Sequence, residues 1–251
     1  MHRWLLFPAL LLAAAGSSSA AVEEVAVKVK GLACPFCAFN VEKRVKTLDG
    51  VDAKARVRVS IETGWVRVPW NGKPFRLETF RKAIVEAGFT PGEVTLVASG
   101  TVVYDKTRTA LALEGRIPLF AGARAQRKQI WDSLRAAAST TKGGIPARVE
   151  GLVRTGKQGW IIELRRWTPR DYKAEVTVAV ETFACERCST RTMQVLEKLD
   201  GVIHARADHE KNRVRVWTKG DTPDPAAIRE AIEKAGFTVK TIKRRLRGQS
   251  K

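Results

Sequence analysis

The feature that most constrains this chain is that it contains a copy of itself. Cys34 and Cys37 recur 151 positions later as Cys185 and Cys188, and Leu48-Asp49-Gly50-Val51 recurs at the same offset as Leu199-Asp200-Gly201-Val202. The offset then falls to 148, where Val66-Arg67-Val68 matches Val214-Arg215-Val216 and Ala87-Gly88-Phe89-Thr90 matches Ala235-Gly236-Phe237-Thr238. The three missing residues fall between two strands, where a turn can shorten without moving a core. Four matches in the same order identify two copies of one domain, over 22–97 and 174–251.

Each copy reads β-α-β-β-α-β. Val25, Val27 and Val29 alternate with Ala26, Lys28 and Lys30, the period of a half-buried strand. From Cys37 the apolar spacing lengthens to Val41, Val45 and Leu48, one stripe of a helix that stops near Asp49-Gly50. Strands are expected over 53–60 and 65–68, a helix over 77–87 and a last strand over 93–97. The second copy predicts 176–180, 188–199, 204–209, 213–218, 224–235 and 238–243 in the same order. This is the ferredoxin-like α+β pattern.

The segment between the copies, 98–173, has a different rhythm. Val102-Val103, Leu111 to Leu113, Ile117 to Phe120, Val149 to Val153 and Trp160 to Leu164 read as five short strands, with a helix over 124–138 after the third. That order predicts a small β-rich barrel of OB type. The segment has 15 basic and 6 acidic residues, the largest share of a chain whose formal net charge is +19. Trp131, Trp160 and Trp167 could stack bases on such a barrel. Nucleic acid is nevertheless not the expected partner, because the chain also carries an export signal. The basic Lys243–Arg247 tail reads as a solvated end.

That signal occupies residues 1–21. A short start with Arg3 precedes an uncharged apolar stretch from Trp4 to Gly16, followed by small residues suited to a cleavage site at Ala20 or Ala21. Thirteen residues are short for a membrane anchor, so cleavage and a periplasmic destination are expected, with no stable span afterwards. No Ser-His-Asp set, carboxylate pair or phosphate loop stands out, so the chain is not expected to be an enzyme.

Four cysteines are too few to staple 251 residues. As two Cys-x-x-Cys pairs entering helices, Cys34/Cys37 and Cys185/Cys188 can each converge on one ion. The second cysteine of each pair is expected to gain most from the helix N-terminus, which favours its thiolate. Sulfur ligands select soft metals. A pair without a third ligand suits the near-linear coordination of Cu(I) or Hg(II), whereas structural zinc takes four ligands. The same residues leave three other readings open: thiol–disulfide exchange, structural disulfides, or one zinc shared by all four sulfurs.

Gly31-Leu32-Ala33-Cys34-Pro35-Phe36-Cys37, with Asn40-Val41-Glu42 and Leu48-Asp49-Gly50-Val51, resembles the heavy-metal-associated domain. The resemblance covers both copies. It implies a ferredoxin-like fold and metal binding by both cysteines of each pair. It also implies capture, buffering or transfer of a soft metal, to a metal-transporting membrane protein or another metal carrier. The Ala-Gly-Phe runs at 87–89 and 235–237 match the family's loop facing the site. The family's methionine is Leu32 in one copy and Phe183 in the other, and its glycine is Gly31 in the first but Thr182 in the second. Thr182 lacks glycine's access to positive φ, so the second site is expected to be strained and weaker.

Overall fold

Val25, Val27 and Val29 are buried along one face of β1 (Ala21–Lys30). They meet Val41 and Val45 of α1 (Pro35–Val45) and Phe80 and Ile84 of α2 (Leu77–Glu86) in one core. Strands β2 (Arg58–Ser60) and β3 (Trp65–Pro69) form a hairpin, and β4 (Thr90–Asp105) pairs with the other edge of β1. The antiparallel order is β2-β3-β1-β4 with both helices contributing to one core. This computed structural model describes residues 20–51, 54–71, 73–105, 108–113, 115–121, 125–156 and 159–248. The expected leader lies outside them save for its last two residues. Of these, Ala21 already opens β1 and pairs with Ser99.

The expected boundary at residue 97 falls inside β4, which runs on for eight residues. It pairs with β5 (Arg108–Leu113), and β5 with β6 (Gly115–Ala121). β6 lies parallel to β8 (Gly159–Pro169), β8 is antiparallel to β7 (Ile145–Gly156), and β7 returns to β4. Five strands thus form a closed ring, with α3 (Ala125–Thr140) between the third and the fourth. Leu134 of α3 is fully buried, and a single core runs from Val25 through Phe80 to Leu134 and Trp167. The first repeat and the middle segment are therefore one body sharing a strand.

The second repeat has β9 (Ala174–Val180), α4 (Glu186–Leu196), β10 (Val202–Asp208), β11 (Arg213–Thr218), α5 (Pro225–Lys234) and β12 (Val239–Leu246). Its sheet order, β10-β11-β9-β12, matches that of the first repeat strand for strand. Its core, with Val178, Leu196, Val214 and Ile232, is separate. The basic tail has exposed side chains, as expected, but its backbone forms an edge strand: Arg244 pairs with Val176, Leu246 with Ala174, and Arg244 also bonds Asp221.

An aromatic stack joins the two bodies. Trp167 of β8 is fully buried, its Nε1 donates to Ser133 Oγ at 3.0 Å, and its ring stacks on His204 of β10 at 4.2 Å. His204 also stacks on Trp217 of β11 at 5.4 Å, and its Nδ1 lies 2.8 Å from Glu197 Oε1. Trp167 therefore cannot stack a base. Trp160 is edge-on to Phe75 and Trp131 is half-buried against the same core.

Candidate metal centres

Both Cys-x-x-Cys pairs sit at the open end of a helix. The helices begin two residues before the expected position, because Pro35 and Glu186 already occupy first-turn positions that suit them. Cys34 and Cys185 are consequently the N-cap residues, both with extended backbone, while Cys37 and Cys188 lie in the first turn. The half-buried second cysteines pack against the core of their own repeat. Leu32 and Phe183 are buried beneath the loops, and Phe183 meets Phe237 edge-to-face at 5.1 Å. The Ala-Gly-Phe loop thus packs beside the cysteine loop, as the resemblance implies.

The two pairs differ in how their sulfurs meet. Cys34 and Cys37 are joined as a disulfide, with Cα atoms 5.1 Å apart, and the Cys37 amide donates to Cys34 Sγ at 3.1 Å. Cys185 and Cys188 are free thiols with sulfurs 3.0 Å apart. In this second pair Cys185 is held below the usual thiol range. The main cause is the hydrogen bond from the Cys188 thiol, followed by the Cys188 amide; the Arg187 amide and charge also contribute against partial burial. Cys188 is pushed up, chiefly by its side-chain hydrogen bond with Cys185 and then by burial. Within this pair the electrostatics favour a thiolate on Cys185 over one on Cys188.

The strain expected at Thr182 is also absent. Gly31 has φ +85, but Asn212 is the one non-glycine residue with positive φ among the described residues. Asn212 (φ 46) stands where the first repeat has Gly64 (φ 63), and both positions accept from the first strand, Val180 and Val29 respectively. The Asn212 side chain adds what glycine cannot: its Oδ1 accepts from the Phe183 amide at 2.8 Å and so ties down the second metal loop. Sequence reasoning missed this residue, although an Asn aligned with a turn glycine is a usable signal.

The lips of the two loops also diverge. Phe36 and Phe39 of the first are among the most exposed large apolar side chains, at 72% and 58%. Arg187 and Thr190 replace them in the second, where Gln129 of α3 donates to the Thr190 carbonyl at 3.1 Å. Among the described residues no group of three or more His, Cys, Asp or Glu side chains converges, so each loop offers two sulfurs and no third ligand of these types.

The heavy-metal-associated domain pattern matches residues 26–90 and 177–238, together half of the chain. A copper chaperone CopZ of Staphylococcus haemolyticus (strain JCSC1435) is 36% identical over 63 residues, which is 25% of this chain and 93% of the relative. Among solved structures, a CopZ metallochaperone matches at 26% identity, covering 26% of this chain and 98% of its own, with a TM-score of 0.26. Oxidised MerP from Ralstonia metallidurans CH34 matches at 26% identity, over 29% of this chain and 96% of its own, also with a TM-score of 0.26. The chain belongs to the heavy-metal-associated domain family and carries that domain twice.

Proposed function

We propose that this protein takes up a soft metal ion as cargo, Cu(I) foremost, and hands it on through Cys34/Cys37 and Cys185/Cys188. The observation that carries the reading is the convergence of Cys185 and Cys188 to 3.0 Å at the open end of α4, on a loop duplicated at α1. Two sulfurs suit the low coordination numbers of Cu(I) and Hg(II) and leave the ion open to a third, incoming thiolate. Transfer then proceeds by ligand exchange, with an acceptor sulfur binding before a donor sulfur leaves. The copper chaperone among the relatives favours copper over mercury.

The recipient is a metal-transporting membrane protein or another metal carrier with its own exposed dithiol. The protein is exported to the periplasm by residues 1–21 and performs no catalysis. No helix among the described residues is long and apolar enough to cross a membrane. The closed ring β4-β5-β6-β8-β7 is an OB-like barrel that holds the metal domains, with residues 98–173 as a separate unit of sequence if not of packing. It contains no cysteine or histidine and so no soft-metal ligand.

The test is a Cu(I) titration of the reduced full chain against a chromogenic chelator. Two equivalents are expected, and Cys34→Ser and Cys185→Ser should each remove one. A single equivalent lost in either variant indicates one ion shared by both loops. A second reading, thiol–disulfide exchange, is favoured by the closed Cys34–Cys37 bond. It requires that the oxidised pair accept two electrons from a substrate dithiol. Turnover of such a substrate without Cu(I) uptake would replace the metal reading.

A further inference from the structure

The cleft between the barrel and the second repeat is lined with arginines, and the duplication supplies an internal control for it. In β2 and β3, Arg58 and Arg67 are cross-strand partners. Like charges placed so are destabilising unless neutralised. Glu24 does so, bridging Arg58 at 2.8 Å and Arg67 at 3.0 Å. The equivalent pair in the second repeat, Arg206 and Arg215, is again cross-strand. Here Glu175, the counterpart of Glu24, reaches only Arg215, at 3.6 Å. Arg206 has no ion pair or side-chain hydrogen bond among the described residues, although it is half-buried.

The barrel brings further positive charge to the same place. Arg166 of β8 lines the cleft beside Arg206, while its own carboxylate partner, Glu150, lies 2.5 Å away on β7. A hollow of about 450 Å³ at this junction is flanked by others of about 360 and 160 Å³, and all three are lined by both Arg166 and Arg206. The largest is of small-ligand size, within the roughly 300–1,000 Å³ common for such sites. Burial, then Arg166 and Arg215, make the Arg206 guanidinium a weaker base than usual, and Asp208 and Glu150 offset this only in part. The group stays charged, so its unmet donors call for an anion.

We propose that this cleft binds a phosphate-class oxyanion through Arg206, with Arg166 and Arg215 closing on the same group. Guanidinium forks match tetrahedral oxyanions by paired N–H···O bonds, and three from two bodies favour a multiply charged phosphate over a monocarboxylate. The phosphoryl group can belong to a soluble phosphate or to a lipid headgroup. A ligand held from both sides would also clamp the second repeat against the barrel. The inference does not depend on metal binding.

Calorimetric titration of the full chain with inorganic pyrophosphate tests it. One site is expected, with affinity falling at least tenfold in Arg206→Ala and in Arg166→Ala but unchanged in Arg58→Ala. Circular dichroism on each variant confirms folding. Absence of binding, or equal losses in Arg206→Ala and Arg58→Ala, overturns the proposal, since the second outcome reports net charge alone. Co-sedimentation with phosphatidate vesicles separates the sources. Arg206-dependent vesicle binding that pyrophosphate displaces identifies a lipid headgroup. Pyrophosphate binding without it identifies a soluble phosphate.

Discussion

Replacing Trp167 by alanine should both weaken the barrel and loosen the second repeat, by different amounts. The ring is fully buried between Ser133, to which its Nε1 donates, and His204, on which it stacks at 4.2 Å. A buried tryptophan removes on the order of 250 Å² from water, which at ~25 cal/mol per Å² sets an upper bound of about 6 kcal/mol. A compact unfolded chain already hides part of that area, and measured tryptophan truncations cost about 3–5 kcal/mol. The Ser133 hydroxyl keeps its bond to the Ile130 carbonyl, so no buried polar group is orphaned. We therefore expect a loss of about 4 kcal/mol in the body that contains the barrel. The stack on His204 accounts for about 1 kcal/mol, the usual range for paired rings. Because the two cores are distinct, denaturant unfolding followed by circular dichroism should give two transitions, the second repeat moving by the smaller amount. A Trp167→Ala/His204→Ala double-mutant cycle should return a coupling of about 1 kcal/mol. Zero coupling, or equal shifts of both transitions, refutes the argument that this stack is the joint between two separately folding bodies.

Asn212→Gly should keep the left-handed turn but lose the bond to the Phe183 amide, costing about 1 kcal/mol; Asn212→Ala adds the left-handed strain of about 1 kcal/mol more. Both should weaken Cu(I) binding at the second loop and not the first, as read by chelator competition on each loop with the other mutated to serine. Cys188→Ala removes the largest stabiliser of the Cys185 thiolate, so the pH midpoint for alkylation of Cys185 should rise; an unchanged midpoint would assign the effect to the helix end instead. Glu23, held below the usual carboxylate range by Ser99, Arg148 and Arg170 against its own burial, stabilises the junction of β1 with the barrel. Its folded pKa lies below its unfolded one, so this contribution is full above the unfolded value near 4.3 and is lost as pH falls through the folded value. Glu23→Gln should therefore cost about 1 kcal/mol near neutrality, after allowance for solvent screening, and progressively less as pH falls below about 4.3.

The repeated domain was legible because its signals are local and doubled: the Cys-x-x-Cys spacing, the alternating valines and the Ala-Gly-Phe stop each occur twice in the same order. Errors arose where one residue type serves two physical ends. The boundary at 97 fails because β4 continues through Gly100, where a Cβ would come within 2.6 Å of the Ala112 carbonyl. That glycine is a point of close strand approach. The basic tail reads as solvated because its side chains are, but its backbone still completes the β9 edge. Trp167 reads as a possible stacking platform because burial against a partner body has no signature within one segment.

The two repeats share a fold but not an attachment, and the difference has a mechanical consequence. The first repeat cannot swing on the barrel without breaking β4, because residues of that strand pair with β1 on one side and β7 on the other over the same stretch, Thr95 to Ser99. Separating them would also expose a common core containing Phe80 and Trp167. The second repeat is held by the His204 stack, by Ile203 packed against the first body's core and by the Gln129 bond to Thr190, while most of its own core remains closed when these part. Local opening free energies follow the apolar contacts that must be given up, so motion concentrates at this joint. Amide exchange should therefore be slowest in β4 and β7, and faster for amides shielded only by the contact of α3 with α4. A second repeat that exchanges only with global unfolding would mean that the arginine-lined cleft is already a fixed interface, leaving no relative motion for an anion to restrain.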